Sequence, residues 1–150
     1  WNYFMSVDSE VNDGFIDGWL EFIDDEDRVT NDPMEAHYIG FKMWVEAVTK
    51  AGSTDPSAVQ DAIIGVAVSN LTGGIATMMP NHHITKPVLI GEIQDDGQFD
   101  VVWETSGTVP GDAWSDFLPG SQDITADWQA PLACGNYNVK SGQCSGQNYE

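Results

Sequence analysis

The stretch from Asp32 to Gly52 constrains this chain more than any other, because it is punctuated at both ends and apolar around most of its girth. Asp32 is a good N-cap, Pro33 suits the first helical position, and Glu35 can reach back as in a capping box. Met34, Ile39, Phe41, Met43, Trp44, Val45 and Val48 then spread around much of the circumference. Lys50 near the end and Gly52 just past it are a stop signal. A helix this apolar is expected to be buried over most of its surface, so other layers of structure must cover it.

The flanking segments read as follows. Trp1-Asn2-Tyr3-Phe4-Met5-Ser6-Val7 has the composition of a strand, and Asp8 or Ser9 can cap a helix reaching about Ile23. In that helix Val11, Phe15, Trp19, Phe22 and Ile23 recur at three- and four-residue spacing as an apolar stripe. Gly14 and Gly18 weaken it while permitting close packing. The run Asp24-Asp25-Glu26-Asp27 ends it; lacking the alternating ligands and glycine of a calcium loop, it reads as a solvated loop. Asp55-Pro56 repeats the cap-and-proline start, and Val59, Ala62, Ile63 and Val66 give a short third helix.

From Leu71 the composition changes. Ile75 to Met79 can form a short strand, and Lys86 to Ile93 and Gln98 to Thr105 flank the hairpin signal Asp95-Asp96-Gly97. Beyond Thr105 the chain is rich in Gly, Pro, Asp and Ser, with Trp114, Phe117, Trp128 and Tyr137 spaced as anchors of an irregular extension. The organisation expected is therefore an α/β one: a strand over 1–7, helices over 8–79, a crossover and hairpin over 80–105, and an irregular tail over 106–150. The opening strand has no obvious parallel neighbour, and parallel strands normally need cover on both faces. An N-terminal part preceding Trp1 is expected to supply it.

Length and charge narrow the function. A chain of 150 residues with 41% apolar content suits one ordinary domain, and no apolar run approaches a membrane span. Five basic residues face 24 acidic ones, a net charge of −19. Nucleic acid and anionic membrane surfaces are excluded as partners, because phosphate binding needs clustered Lys and Arg. Cys134 and Cys144 are the two cysteines, nine residues apart in a Gly/Asn/Ser/Gln-rich tail. A small disulfide loop could close that spacing, which would suggest an oxidising compartment such as a periplasm; two free surface thiols are the alternative.

Catalytic and metal signals are sparse. His82-His83 has no third ligand at a sensible spacing, so a polar turn before the hairpin is expected and no metal site. There is no Gly-x-Ser-x-Gly elbow, no phosphate-binding glycine loop, and neither cysteine sits beside a plausible base. No enzyme and no cofactor are expected. The helix start at Asp32, Pro33, Met34 and Glu35 is the one device that can double as a site. Its unpaired N–H groups and carboxylate oxygens can read a solute that carries both a carbonyl and N–H donors, though a plain helix cap explains the same residues.

Two stretches carry a resemblance: Arg28-Val29-Thr30-Asn31-Asp32-Pro33-Met34-Glu35-Ala36, and Asn81-His82-His83 followed by Lys86-Pro87-Val88-Leu89-Ile90-Gly91-Glu92-Ile93. With the opening strand they resemble the urea and short-chain-amide substrate-binding proteins of ABC importers, which have the type I periplasmic-binding-protein fold. The likeness runs from about Trp1 to Val102 and implies the C-terminal portion of a two-lobe protein. It implies a receptor outside the cytoplasm that binds a small neutral solute, urea or a short amide, and docks on a membrane permease. Asp32, Pro33, Met34 and Glu35 would lie near the cleft, with Glu35 the polar contact. A cytoplasmic amide-sensing regulator of the same fold, or a receptor for a branched-chain amino acid, are the alternatives. The tail from Gly107 departs from the family pattern.

Overall fold

Ser9 starts the first helix, α1 (Glu10–Ile23), in the computed structural model, which describes residues 1–125, 137–138 and 140–144. Asp24 ends it in the left-handed region, at φ 53°. Only Asn12 of this helix is buried. The apolar stripe read from the sequence is covered in the middle and open at the ends. Phe15 packs against Tyr3 and Tyr38, whereas Phe22 is 84% exposed and Val11 is exposed too.

The second helix, α2 (Asp32–Ala51), ends as expected at Gly52, whose left-handed backbone lets its N–H reach the Val48 carbonyl. Its burial is narrower than its composition suggests. Glu35, Ile39, Met43 and Ala47 are the buried residues, four apart, which places them in a single row along one face. Phe41, Trp44 and Val45 are exposed, and the Phe41 and Trp44 rings stack on each other at 5.9 Å. The expectation of burial around most of the girth fails: among the described residues nothing covers the face that carries Phe41, Trp44 and Val45.

Asp55 caps α3 (Pro56–Ala62) by accepting the Ala58 N–H, and Gly65 at φ 78° then redirects the chain. Val66, assigned to the helix on spacing, instead leads into β1 (Ala67–Ser69), a strand the sequence reading missed. β1 pairs antiparallel with β2 (Ile75–Thr77), the short strand expected at Ile75. The core lies between this small sheet and the helices: Ile39, Met43 and Ala47 of α2, Val59 of α3, Val66 and Ala76.

The hairpin forms where Asp95-Asp96-Gly97 predicts it. β3 (Leu89–Ile93) pairs antiparallel with β4 (Phe99–Glu104), with a register irregularity between Ile90 and Gly91. Gly97 takes φ 83° in the turn, and the Asp96 carboxylate accepts the Gln98 N–H. The opening residues are not a strand. Trp1 exchanges two backbone bonds with Leu89, as one antiparallel pair would, and the chain then turns at Phe4–Val7. Among the described residues no strand pairs with Tyr3 and Phe4.

Trp1–Gly111 forms one compact unit and Asp112–Glu150 a second. The first closes with Lys86 and Val109, which exchange two backbone bonds. In the second, the described residues form a short 3-10 turn (Ser121–Asp123) and three two-residue strands, β5 (Ile124–Thr125), β6 (Tyr137–Asn138) and β7 (Gln143–Cys144). Lys140 and Asp123 pair at 2.6 Å within it. Phe117, expected as an anchor, is 99% exposed. Trp128 and Cys134 lie outside the described residues, and with Cys134 the expected Cys134–Cys144 disulfide. No helix among the described residues is long and apolar enough to cross a membrane.

Candidate functional site at the start of α2

The cap of α2 is one residue earlier than its sequence suggests. Asn31, not Asp32, is the N-cap, and its side chain accepts the Met34 N–H at 3.1 Å. That shift decides what the next residues do. Asp32 becomes the first helical residue, and its carboxylate accepts the Asn2 N–H at 3.2 Å, while the Asn2 amide donates to the Pro87 carbonyl at 2.7 Å. Glu35 falls one position too far along to close a capping box. It turns inward instead, onto the row that holds Ile39.

There Glu35 is 1% exposed and forms an ion pair with Lys86, which is itself nearly buried. Lys86 Nζ bonds Glu35 Oε1; Oε2 of the same carboxylate is buried and has no hydrogen-bond partner among the described residues. Burial pushes the Glu35 carboxyl above its usual range; the bond and charge of Lys86 oppose this, and the neighbouring Asp32 charge adds to it. A buried carboxylate oxygen without a donor is costly, and a ligand that brings one removes the cost.

Two open clefts meet at Asp32. The first, of about 380 Å³, is walled by Trp1, Tyr3, Phe4 and Phe99, with Thr30 and Asp32 among its polar groups. The second, of about 360 Å³, holds Asp32, Glu35, Lys86, Asn2 and His83. Of the four residues singled out by sequence, Asp32 lines both clefts, Pro33 the first and Glu35 the second. Met34 lines neither; its backbone N–H is the one that Asn31 caps.

Behind the first cleft is a buried network. The Tyr3 hydroxyl bonds Asn12 Oδ1 at 2.8 Å and Thr30 Oγ1 at 2.6 Å, and the Asn12 amide donates to the Met5 and Val7 carbonyls. Burial raises the Tyr3 phenol further from ionisation, more than its bond to Thr30 lowers it. The network pins the turn at Met5 and the residues entering α2 to α1.

Sequence reasoning missed Lys86, Tyr3, Asn12 and Thr30 as members of the site. Lys86 carried a readable signal. It is one of five basic residues in the chain and stands at the head of the apolar run Pro87–Ile90, where a lone cation is rarely buried without a partner. His83 lines the second cleft and His82 does not, and the described residues hold no cluster of metal-ligating side chains.

The sequence matches the periplasmic binding protein domain over residues 1–120. The chain belongs to that family. The periplasmic binding protein domain is also similar in fold to a solute-binding protein of an ABC transporter from Rhodopseudomonas palustris HaA2, solved in complex with p-hydroxybenzoic acid. The TM-score is 0.60 and the identity 22%, over 73% of this chain and 30% of that one. A relative from Geobacillus stearothermophilus, described as a limonene hydroxylase, is 32% identical over 109 residues, 73% of this chain and 20% of that protein. The periplasmic binding protein domain thus spans a fifth of that curated relative and under a third of the solved structure. Its helix-and-strand architecture is that of part of a type I binding protein, the fold class read from Asp32–Glu35 and the hairpin.

Proposed function

We propose that this domain is part of an extracytoplasmic receptor that binds urea or a short-chain amide and delivers it to the permease of an ABC importer. The observation that carries this reading is Glu35 Oε2, a buried acceptor without a donor among the described residues, in a residue that lines an open cleft. Urea and primary amides supply N–H donors without adding charge, which suits a cleft where an ion pair already balances itself. The reading needs no cofactor and no bond-making step. The family membership and the likeness to an ABC-transporter binding protein support the transport context.

A second reading has its own support. The first cleft has aromatic walls, and the structural neighbour was solved with an aromatic acid. Among the described residues, however, no lysine or arginine side chain lines that cleft, and Asp32 does, so a carboxylate there meets a like charge rather than a partner.

Calorimetry on the full-length protein decides between them. Heat on titration with urea, formamide or acetamide, and none with 4-hydroxybenzoate or leucine, is the expected result. Heat with 4-hydroxybenzoate or leucine alone overturns the amide reading and moves the protein to a receptor of another solute class.

A further inference from the structure

Resting on the amide reading above, we propose that Lys86 and Glu35 act together as a two-point reader of an amide edge. Lys86 Nζ donates to the ligand carbonyl, and Glu35 Oε2 accepts one ligand N–H. Lys86 is thereby a specificity-determining residue, not only the counter-ion of a buried acid.

The geometry of the pair makes the case. Nζ is bonded to Oε1, so the vacant oxygen of the same carboxylate lies beside the ammonium. A donor and an acceptor side by side match the oxygen and nitrogen that flank an amide carbon. The ammonium carries three protons, and one bond to Oε1 leaves others for a carbonyl. Both side chains are nine-tenths or more buried, at 10% and 1% exposure, so each bond forms with little competition from water.

Charge and shape then set what is accepted. Two carboxylates, Asp32 and Glu35, face one ammonium in this cleft, so an added anion is opposed. A tertiary amide offers the carbonyl but no N–H, so Oε2 stays as unpartnered as it is in the free protein. Sites built to bond a particular N–H or O–H reject analogues lacking it far more strongly than they reject a missing methylene. A primary amide or urea satisfies both atoms at once.

The test is a calorimetric series on the full-length protein with acetamide, N,N-dimethylacetamide, acetate and guanidinium. The expected order is acetamide binding at least about tenfold more tightly than each of the other three. The variant Glu35→Gln follows, with its fold checked by thermal melting. Its amide must turn the oxygen to Lys86 and present N–H where the ligand also presents N–H, so acetamide binding drops at least about tenfold. Equal binding of acetamide and N,N-dimethylacetamide overturns the two-point reader while leaving the amide receptor standing. Preferred binding of guanidinium or acetate overturns it as well, and so does a folded Glu35→Gln protein with unchanged affinity. If that variant does not fold, the wild-type series alone decides. Absence of any amide binding removes both readings together.

Discussion

Lys86 and Glu35, 51 residues apart in sequence, form a buried ion pair that joins the start of α2 to the segment entering β3. Such pairs are costly to break from one side, because the survivor is a buried charge without a partner, at about 3–5 kcal/mol. Replacing both members with apolar groups of similar volume is often close to neutral. Lys86→Met is therefore expected to destabilise the protein by about 3 kcal/mol, and Lys86→Met combined with Glu35→Leu by clearly less. Thermal unfolding of wild type, the two single variants Lys86→Met and Glu35→Leu, and the double variant checks this. Losses that simply add would show that the two side chains are not coupled.

The raised Glu35 pKa carries a pH dependence of definite sign. A carboxyl that holds its proton more tightly when folded binds more protons in the native state than in the unfolded one. Its contribution to stability is complete below the ordinary carboxyl value of 4.5 and is lost as the pH rises from there through the higher folded value. The melting-temperature difference between wild type and Glu35→Gln should thus move against the wild type as the pH is raised from 4 to 7. A difference that moves in favour of the wild type would mean that Lys86, rather than burial, dominates the titration.

Asn12 holds three partners at once, the Tyr3 hydroxyl and the carbonyls of Met5 and Val7. Asn12→Ala strands all of them and is expected to cost about 2–4 kcal/mol. Tyr3→Phe removes a single hydroxyl and should cost about 1–1.5 kcal/mol. The ranking is read from thermal unfolding. An Asn12→Ala protein as stable as wild type would remove the network as the element that fixes the Met5 turn.

Gly91 sits at the irregularity of the β3–β4 hairpin, where the Phe4 and Phe99 rings stack at 4.7 Å. A Cβ at position 91 would stand 2.7 Å from Phe4 Cζ and 3.0 Å from Phe99 Cβ. Gly91→Ala must push these rings, which wall the first cleft, and should cost about 1–3 kcal/mol of overpacking. Alanine at Gly97 tests a different mechanism: nothing crowds a Cβ there, but the φ of 83° strains any L side chain. If Gly91→Ala melts like wild type, the rings are free to move and the cleft wall is soft.

Much of the fold was legible before the structure. Pro33, Gly52 and Asp55-Pro56 act through local sterics and hydrogen bonds, so they place helix ends wherever the chain is folded. Asp95-Asp96-Gly97 acts in the same way on the hairpin. The errors fell where the deciding partner is remote. Asn31 outcompeted Asp32 for the cap once Asn2 engaged the Asp32 carboxylate, and Val66 left its helix because β2 offered β1 a ladder. The stripe on α1 and the girth of α2 were read as buried, yet Phe22, Phe41 and Trp44 face outward, since hydrophobic pattern marks what can be covered and not what covers it.

The candidate site divides along the same line. Sequence alone determined that Asp32 and Glu35 stand at a helix start, one turn apart and beside a proline, because that follows from spacing along the chain. Only the tertiary structure decided that Glu35 faces inward, that Lys86 meets it, and that one carboxylate oxygen finds no donor among the described residues. Backbone geometry is a short-range property of neighbouring residues. The pairing of two charges 51 residues apart depends on how the helix and the incoming strand are laid together, and packing alone settles that.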